Sequence, residues 1–192
     1  LTINGGDGDD AISVQGVDAV FDADLTIDGQ GGANDSVTFE TTASDLGTGD
    51  LSVTGEDINV NSAVDASSVT FSATTIDVTA AVTADAVTGT AVDLSASGAI
   101  NVSTSGSITS GGGDVGVVST GGTIDVNGVV TGAGGNVSID AQSALLTVGA
   151  NVSTTGIGTL SLSGAGVTVT PGAAASTTVS TNTGLLSVDA RT

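Results

Sequence analysis

The stretch LSVTGEDINVNSAV at 51–64 is followed by VTFSATTIDVTAAV at 69–82, VDLSASGAINVSTSGSI at 92–108 and VGVVSTGGTIDVNGVV at 115–130. VSIDAQSALLTVGANV at 137–152 and LSLSGAGVTVTPGAA at 160–174 continue the series. The units start 18, 23, 23, 22 and 23 residues apart, and TTVSTNTGLLSVDA at 177–190 reads as a partial seventh copy. A fixed period of that size marks a stacked-repeat architecture. Each unit reads as an apolar-x-apolar strand, a polar turn, a second apolar-x-apolar strand, and one further apolar position before a Gly-rich corner.

The second strand gives the cleanest column: Ile58/Val60, Ile76/Val78, Ile100/Val102, Ile124/Val126, Leu146/Val148 and Val167/Val169. Its middle position is always polar: Asn59, Asp77, Asn101, Asp125, Thr147 and Thr168. Alternation of this kind points the apolar pair inward and the polar residue outward. Short strands recurring at this period pair with the same strands one turn above and below. The sequence therefore predicts an all-β fold, a parallel β-helix (β-solenoid) with turns of about 22 residues. About nine turns at roughly 4.8 Å each give a rod on the order of 40 Å long. Glycines in the corners at 110–114, 132–136 and 155–158 supply the sharp bends, and Val, Ile, Leu and Ala fill an interior expected to be too narrow for aromatics.

Composition narrows the function classes. A single cation, Arg191, stands against 21 carboxylates, for a formal charge of -20. Such a chain has no basic surface for phosphate backbones or anionic lipid, so nucleic-acid partners are excluded. No apolar run approaches the ~20 residues of a membrane span, and membrane insertion is not expected. The 39% apolar content, rich in Val, argues against disorder. With no Cys in the chain, order must come from backbone ladders and a thin core.

The apolar-x-apolar pairs, with INV or IDV ahead of a Gly-rich corner, resemble the β-helical repeats of filamentous-haemagglutinin-like adhesins and other giant bacterial surface proteins. The resemblance covers roughly residues 51–190 and implies a secreted or cell-surface location in a bacterium. It names neither a ligand nor a secretion route.

Residues 1–57 hold 13 of the 21 carboxylates, and composition divides the chain into acidic front turns at 1–50 and regular repeats at 51–192. GGDGDDAIS at 5–13 is similar to the GGxGxDxUx nonapeptide of RTX calcium-binding repeats. That resemblance implies a Ca2+ site in which glycine-turn carbonyls and aspartates form an all-oxygen shell, with Gly5, Asp7, Asp9, Asp10 and Asp35 as the candidate residues. Asp35 enters through a second copy: LTINGGDG-DDAISV aligns with LTIDGQGGANDSVTF after one inserted residue, pairing Leu1 with Leu25, Asp10 with Asp35 and Ile12 with Val37. Gln30 and Ala33 depart from the motif, and a solvated acidic turn is the competing reading. In VFDADLTID, Asp22 and Asp24 are expected to share one sheet face, where they keep an edge soluble or bind a cation.

Parallel β-helices also host polysaccharide lyases and hydrolases, but the inventory speaks against catalysis. There is no His, Cys or Lys for acid–base or nucleophilic work, and only Phe21, Phe39 and Phe71 as platforms for sugar rings. A two-carboxylate glycosidase is the chemistry left open. Binding of ice through flat Thr-x-Thr arrays is not expected, because Thr88/Thr90, Thr168/Thr170 and Thr181/Thr183 do not recur at the repeat period.

The leading expectation is a stiff structural or adhesive spacer, not an enzyme, with a calcium-stiffened adhesin module as the alternative. Its expected partners are further copies, neighbouring segments of the same large protein, or a host or matrix surface. The strand-like LTI at 1–3 and LLSV at 185–188 predict that the ladder is extended at both ends, covalently or by head-to-tail stacking.

Overall fold

The computed structural model describes residues 1–18, 20–171 and 176–191. Among these residues every regular element is a β-strand. The chain winds through three parallel sheets in turn, and one circuit is called a coil below. The first sheet has nine strands, from Thr2–Gly6 to Leu186–Ala190, and the second has eight, from Ala11–Val14 to Gly166–Val169. The third has seven, from Ser44–Asp45 to Val179–Thr181. The fold is therefore the expected β-solenoid.

Register confirms the repeat residue by residue. Leu51 pairs with Val69, Val69 with Val92, Val92 with Val115, Val115 with Val137 and Val137 with Leu160, the same unit starts that the sequence marks. The Ile/Val column of the second strand is in register too, as in Ile76 with Ile100 and Val78 with Val102. Burial follows the alternation: Ile100 and Val102 are buried and Asn101 between them is half-exposed. Enclosing such a side chain is worth about 1.5–3 kcal/mol, and the buried positions form one continuous core from Val14 to Leu162.

Four expectations need correction. From the second coil on, each coil has three strands, not two. The isolated apolar positions Val64, Val82, Ile108, Val130 and Val152 lie in the third sheet. Their inward neighbours two residues on are Ala66, Ala84, Ser110, Gly132 and Thr154, so the apolar-x-apolar signature is muted there. The buried hydroxyls are satisfied locally, Ser110 Oγ donating to the Gly113 carbonyl at 2.7 Å and Thr154 Oγ1 to that of Gly135 at 2.6 Å. Second, there are eight coils and a ninth first-sheet strand, with first-sheet spacings from 18 residues (Leu51 to Val69) to 26 (Leu25 to Leu51). Third, the seventh copy is misphased, since Val179–Thr181 closes the eighth coil in the third sheet and Leu186–Ala190 opens the next in the first. Residues 172–174, the end of the sixth unit, lie outside the described residues. Fourth, the interior does hold aromatics. Phe39 and Phe71 are fully buried and stack with ring centroids 6.0 Å apart at 26°.

The corners work partly as expected. Gly134 has φ of 115°, a conformation that glycine takes at little cost. Its neighbour Gly135 is required for a different reason, because a Cβ there would sit 2.3 Å from the Gly113 carbonyl oxygen of the preceding coil.

Candidate functional site

The RTX-like segment forms the first corner between the first and second sheets. Gly6 pairs with Gln30, Ile12 with Val37 and Ala11 with Ser36, so the spacing grows from 24 to 25 residues across the corner, where the sequence alignment places its inserted residue. Gln30 takes the left-handed conformation, with φ of 65°, where the motif has Gly6 at 109°. Asp35 stacks on Asp10, as the alignment implies.

What these carboxylates do is set by the backbone around them. Asp35 is 1% exposed and turns inward over Gly29, where a Cβ would meet its own Cβ at 2.6 Å. One of its oxygens accepts from the Asp10 amide at 2.8 Å and the other from the Gly32 amide at 3.3 Å. The pattern moves one coil along: Glu56 Oε2 accepts from the Asp35 amide at 2.8 Å. Asp9 bridges in the other direction, accepting from the Ala33 amide at 3.2 Å and the Asn34 Nδ2 at 3.0 Å. Hydrogen bonds from Asn34 and Ala33 hold its carboxyl below the ordinary value.

Four of the five candidate calcium residues, Gly5, Asp9, Asp10 and Asp35, are thus brought together at one corner. Asp7 joins them from the same turn, its Oδ1 lying 3.3 Å from where a Cβ on Gly31 would stand. The carboxylates of Asp9 and Asp35 accept from amide donors, so calcium at this corner, which takes six to eight oxygens, would draw on the Asp7 and Asp10 carboxylates and on the carbonyls of the glycine turn. Among the described residues no cluster of three or more acidic, His or Cys side chains is placed to hold a metal ion. One oxygen remains unspoken for: Asp10 Oδ2 is buried without a hydrogen-bond partner.

Capping of another coil's amides by corner side chains recurs in the front coils and again from Asp114 onward. Asp24 Oδ1 accepts from the Asp50 amide at 3.0 Å, and Asp22 Oδ1 accepts from the Thr48 amide at 2.8 Å and its hydroxyl at 2.6 Å. The Thr48 hydroxyl and amide hold the Asp22 carboxyl below its ordinary value. Asp22 and Asp24 therefore do not share a sheet face. Asp22 sits in a corner with φ of 39°, which breaks the extended alternation. Further along, Asp114 accepts from the Asn136 amide at 2.7 Å, Asn136 from the Thr159 amide at 2.9 Å and Asn151 from the Thr178 amide at 2.8 Å. These caps span more than twenty residues of sequence, so no local motif announces them.

Other acids stack directly. Asp45 and Asp65 are register partners on the outer face of the third sheet. Burial, with Asp85 and Asp45 adding like charge, pushes the Asp65 carboxyl above its ordinary value. At the far end Arg191 grips Asp140 with two bonds, 2.8 and 3.0 Å. Burial alone raises the Asp140 carboxyl, yet the bonds from Arg191, the Gln142 amide and Ser163 together bring it below the ordinary value.

Two surface readings change with the register in hand. Hydroxyls do align at the coil period, though not at the positions singled out in the sequence: Thr83, Thr109, Thr131, Ser153 and Ser180 form one column on the third sheet. Neither Phe39 nor Phe71 is available as a sugar platform, both being enclosed. A recess of about 560 Å³ opens at the first coil and is lined by Ile3, Ile12, Val17 and Phe21. Models of known protein families, characterised proteins and solved structures give no match to this chain.

Proposed function

We propose that this chain is a stiff, passive segment of a large bacterial surface or matrix-fibre protein, a spacer whose work is mechanical and adhesive, not catalytic. The observation that supports this most is the unbroken nine-stranded first sheet, which carries one backbone ladder from Thr2–Gly6 to Leu186–Ala190. A stack of eight coils at ~4.8 Å per coil is a short rod extendable without change of plan. Many of the carboxylates hold corners, as Asp22, Asp24, Asp35 and Glu56 do, which is a structural use of acid. A net charge of -20 keeps such a rod soluble and discourages collapse onto its neighbours.

Immunogold labelling of the source cells with antibody to this chain tests the reading. We expect label outside the cell, along surface fibres or matrix. Label confined to the cytoplasm, or turnover of a polysaccharide by the purified chain that is lost on replacing an acid pair, overturns it.

A calcium-stiffened module is the second reading, favoured by the unpartnered Asp10 Oδ2 alone. A rise of several degrees in Tm with calcium over chelator, lost in Asp10→Asn, selects it. No change in Tm leaves the acid corner as a set of amide caps.

A further inference from the structure

We propose that the outer face of the third sheet over its last four strands is the surface along which two copies of this chain lie side by side. This inference rests on the mechanical reading above and names the partner and the face. The strands are Ser107–Ser110, Val129–Gly132, Val152–Thr154 and Val179–Thr181. Their outward residues Thr109, Thr131, Ser153 and Ser180 stand in register, with Val129, 45% exposed, beside Ser107 in the adjoining column.

Charge singles this face out. The four strands contain no charged residue, and none occurs anywhere from Ala141 to Val188. Elsewhere acids interrupt the outer faces, except over the last two strands of the second sheet, Leu145–Val148 and Gly166–Val169. The first sheet carries Asp28, Asp93 and Asp140, the second Asp57, Asp77 and Asp125, and the early third sheet Asp45 and Asp65. Two molecules of charge -20 repel over a Debye length of about 8 Å in physiological salt, so pairing across the last four strands of either other sheet brings in carboxylates, Asp125 on the second and Asp114, Asp140 and Asp189 on the first. Beside this face, at the corner between the second and third sheets, a recess of about 210 Å³ is lined by Thr104, Asn127, Val129 and Asn151. It offers an opposing side chain a place to seat.

Four strands ~4.8 Å apart and two outward columns about 7 Å apart give a contact of about 250–300 Å² per copy. That is below the size of stable specific interfaces, so a single pair is weak and many in series along a fibre are strong.

Sedimentation equilibrium of the whole chain over a concentration series, at low and high salt, tests the inference. We expect a reversible dimer that tightens as salt screens the remaining charge. The double substitution Val129→Asp with Thr131→Asp is expected to weaken it at least tenfold, whereas Ser72→Asp on the first sheet leaves it unchanged. Circular dichroism of each variant confirms that the exposed substitutions keep the fold. A chain that stays monomeric at every salt and concentration overturns the inference, as does a dimer that survives the double substitution or is equally lost with Ser72→Asp. Neutral oligosaccharides that shift the Asn127 and Asn151 amide resonances of a monomeric chain would reassign the face to glycan. Any of these leaves the mechanical reading standing, because that reading is tested by location and by catalysis.

Discussion

The first three coils and the last four share one set of ladders but close their corners by different chemistry. In the front coils carboxylates do the work: Asp35, Glu56, Asp22 and Asp24 each accept an amide from an adjoining coil. In the later coils a carboxylate still does so at Asp114, but Asn136 and Asn151 take most of the task, and close-packed glycines such as Gly135 serve there as Gly32 and Gly49 do at the front. The comparison separates what the fold demands from what each region chose. Every corner must satisfy the amides that the sheets leave unpaired, and an acid, an amide side chain or a close-packed glycine turn can serve. Corner capping thus accounts for Asp9, Asp22, Asp24, Asp35 and Glu56 among the acids gathered at the front.

The largest expected effect lies in the core that both regions share. Phe71→Ala removes a buried ring that stacks on Phe39, and we expect a loss of about 3–5 kcal/mol in urea unfolding. A loss confined to the front coils, with the later coils melting separately and unchanged, would break the claim of one continuous core.

Next comes a test of the glycine-closed corners. In Gly135→Ala the new methyl meets the Gly113 carbonyl at 2.3 Å, which neighbouring backbone cannot readily relieve. We expect a cost of about 1–3 kcal/mol. A neutral outcome would mean that these corners are looser than they stand here.

The acid-closed corners are tested by Asp35→Ala, which strips acceptors from the Asp10 and Gly32 amides. A cost of about 1–3 kcal/mol is expected, with calcium or chelator making no difference to its size. Should the cost vanish when calcium is removed, the carboxylate was serving an ion after all.

The smallest effect concerns Asp65. Its carboxyl is held above its ordinary value in the folded protein, so the folded chain takes up that proton more readily than the unfolded one. Asp65 therefore costs stability at neutral pH, and the cost is relieved as pH falls through the raised folded value. Asp9, Asp22 and Asp140 lie below their ordinary values and act oppositely, supporting the fold above the unfolded carboxylate range near 3.9 and losing that support in stronger acid. We expect Asp65→Asn to raise Tm by about 1–3 °C at pH 7 and by nothing once the wild-type carboxyl is itself neutral. A thermal melt at both pH values measures it.

Legibility in the sequence followed how far each signal reaches along the chain. The second sheet was plain because Ile and Val recur two residues apart with a polar residue between, as in Ile100, Asn101 and Val102. The third sheet was hidden because its second inward position is Ala66, Ser110, Gly132 or Thr154, residues that carry no apolar signal. The nonapeptide at 5–13 marked a real corner, and the alignment of Asp10 with Asp35 named true neighbours. Their role was not readable, since an acid facing an ion and an acid facing the amide of the next coil look alike in one dimension. The room for Phe39 and Phe71 is not legible in the sequence, because the two rings meet from different sheets, each opposite a Val in register, Val60 and Val53.

Residue-resolved hydrogen exchange of the chain in chelator tests the central claim most directly, that one ladder runs through both regions and needs no ion at the front. We expect the amides of Asp10, Asp35, Thr48 and Asp50 to be protected along with those of Ile100 and Val130, each being bonded to an adjoining coil. Free exchange throughout residues 1–50, beside slow exchange from 51 onward, would contradict it.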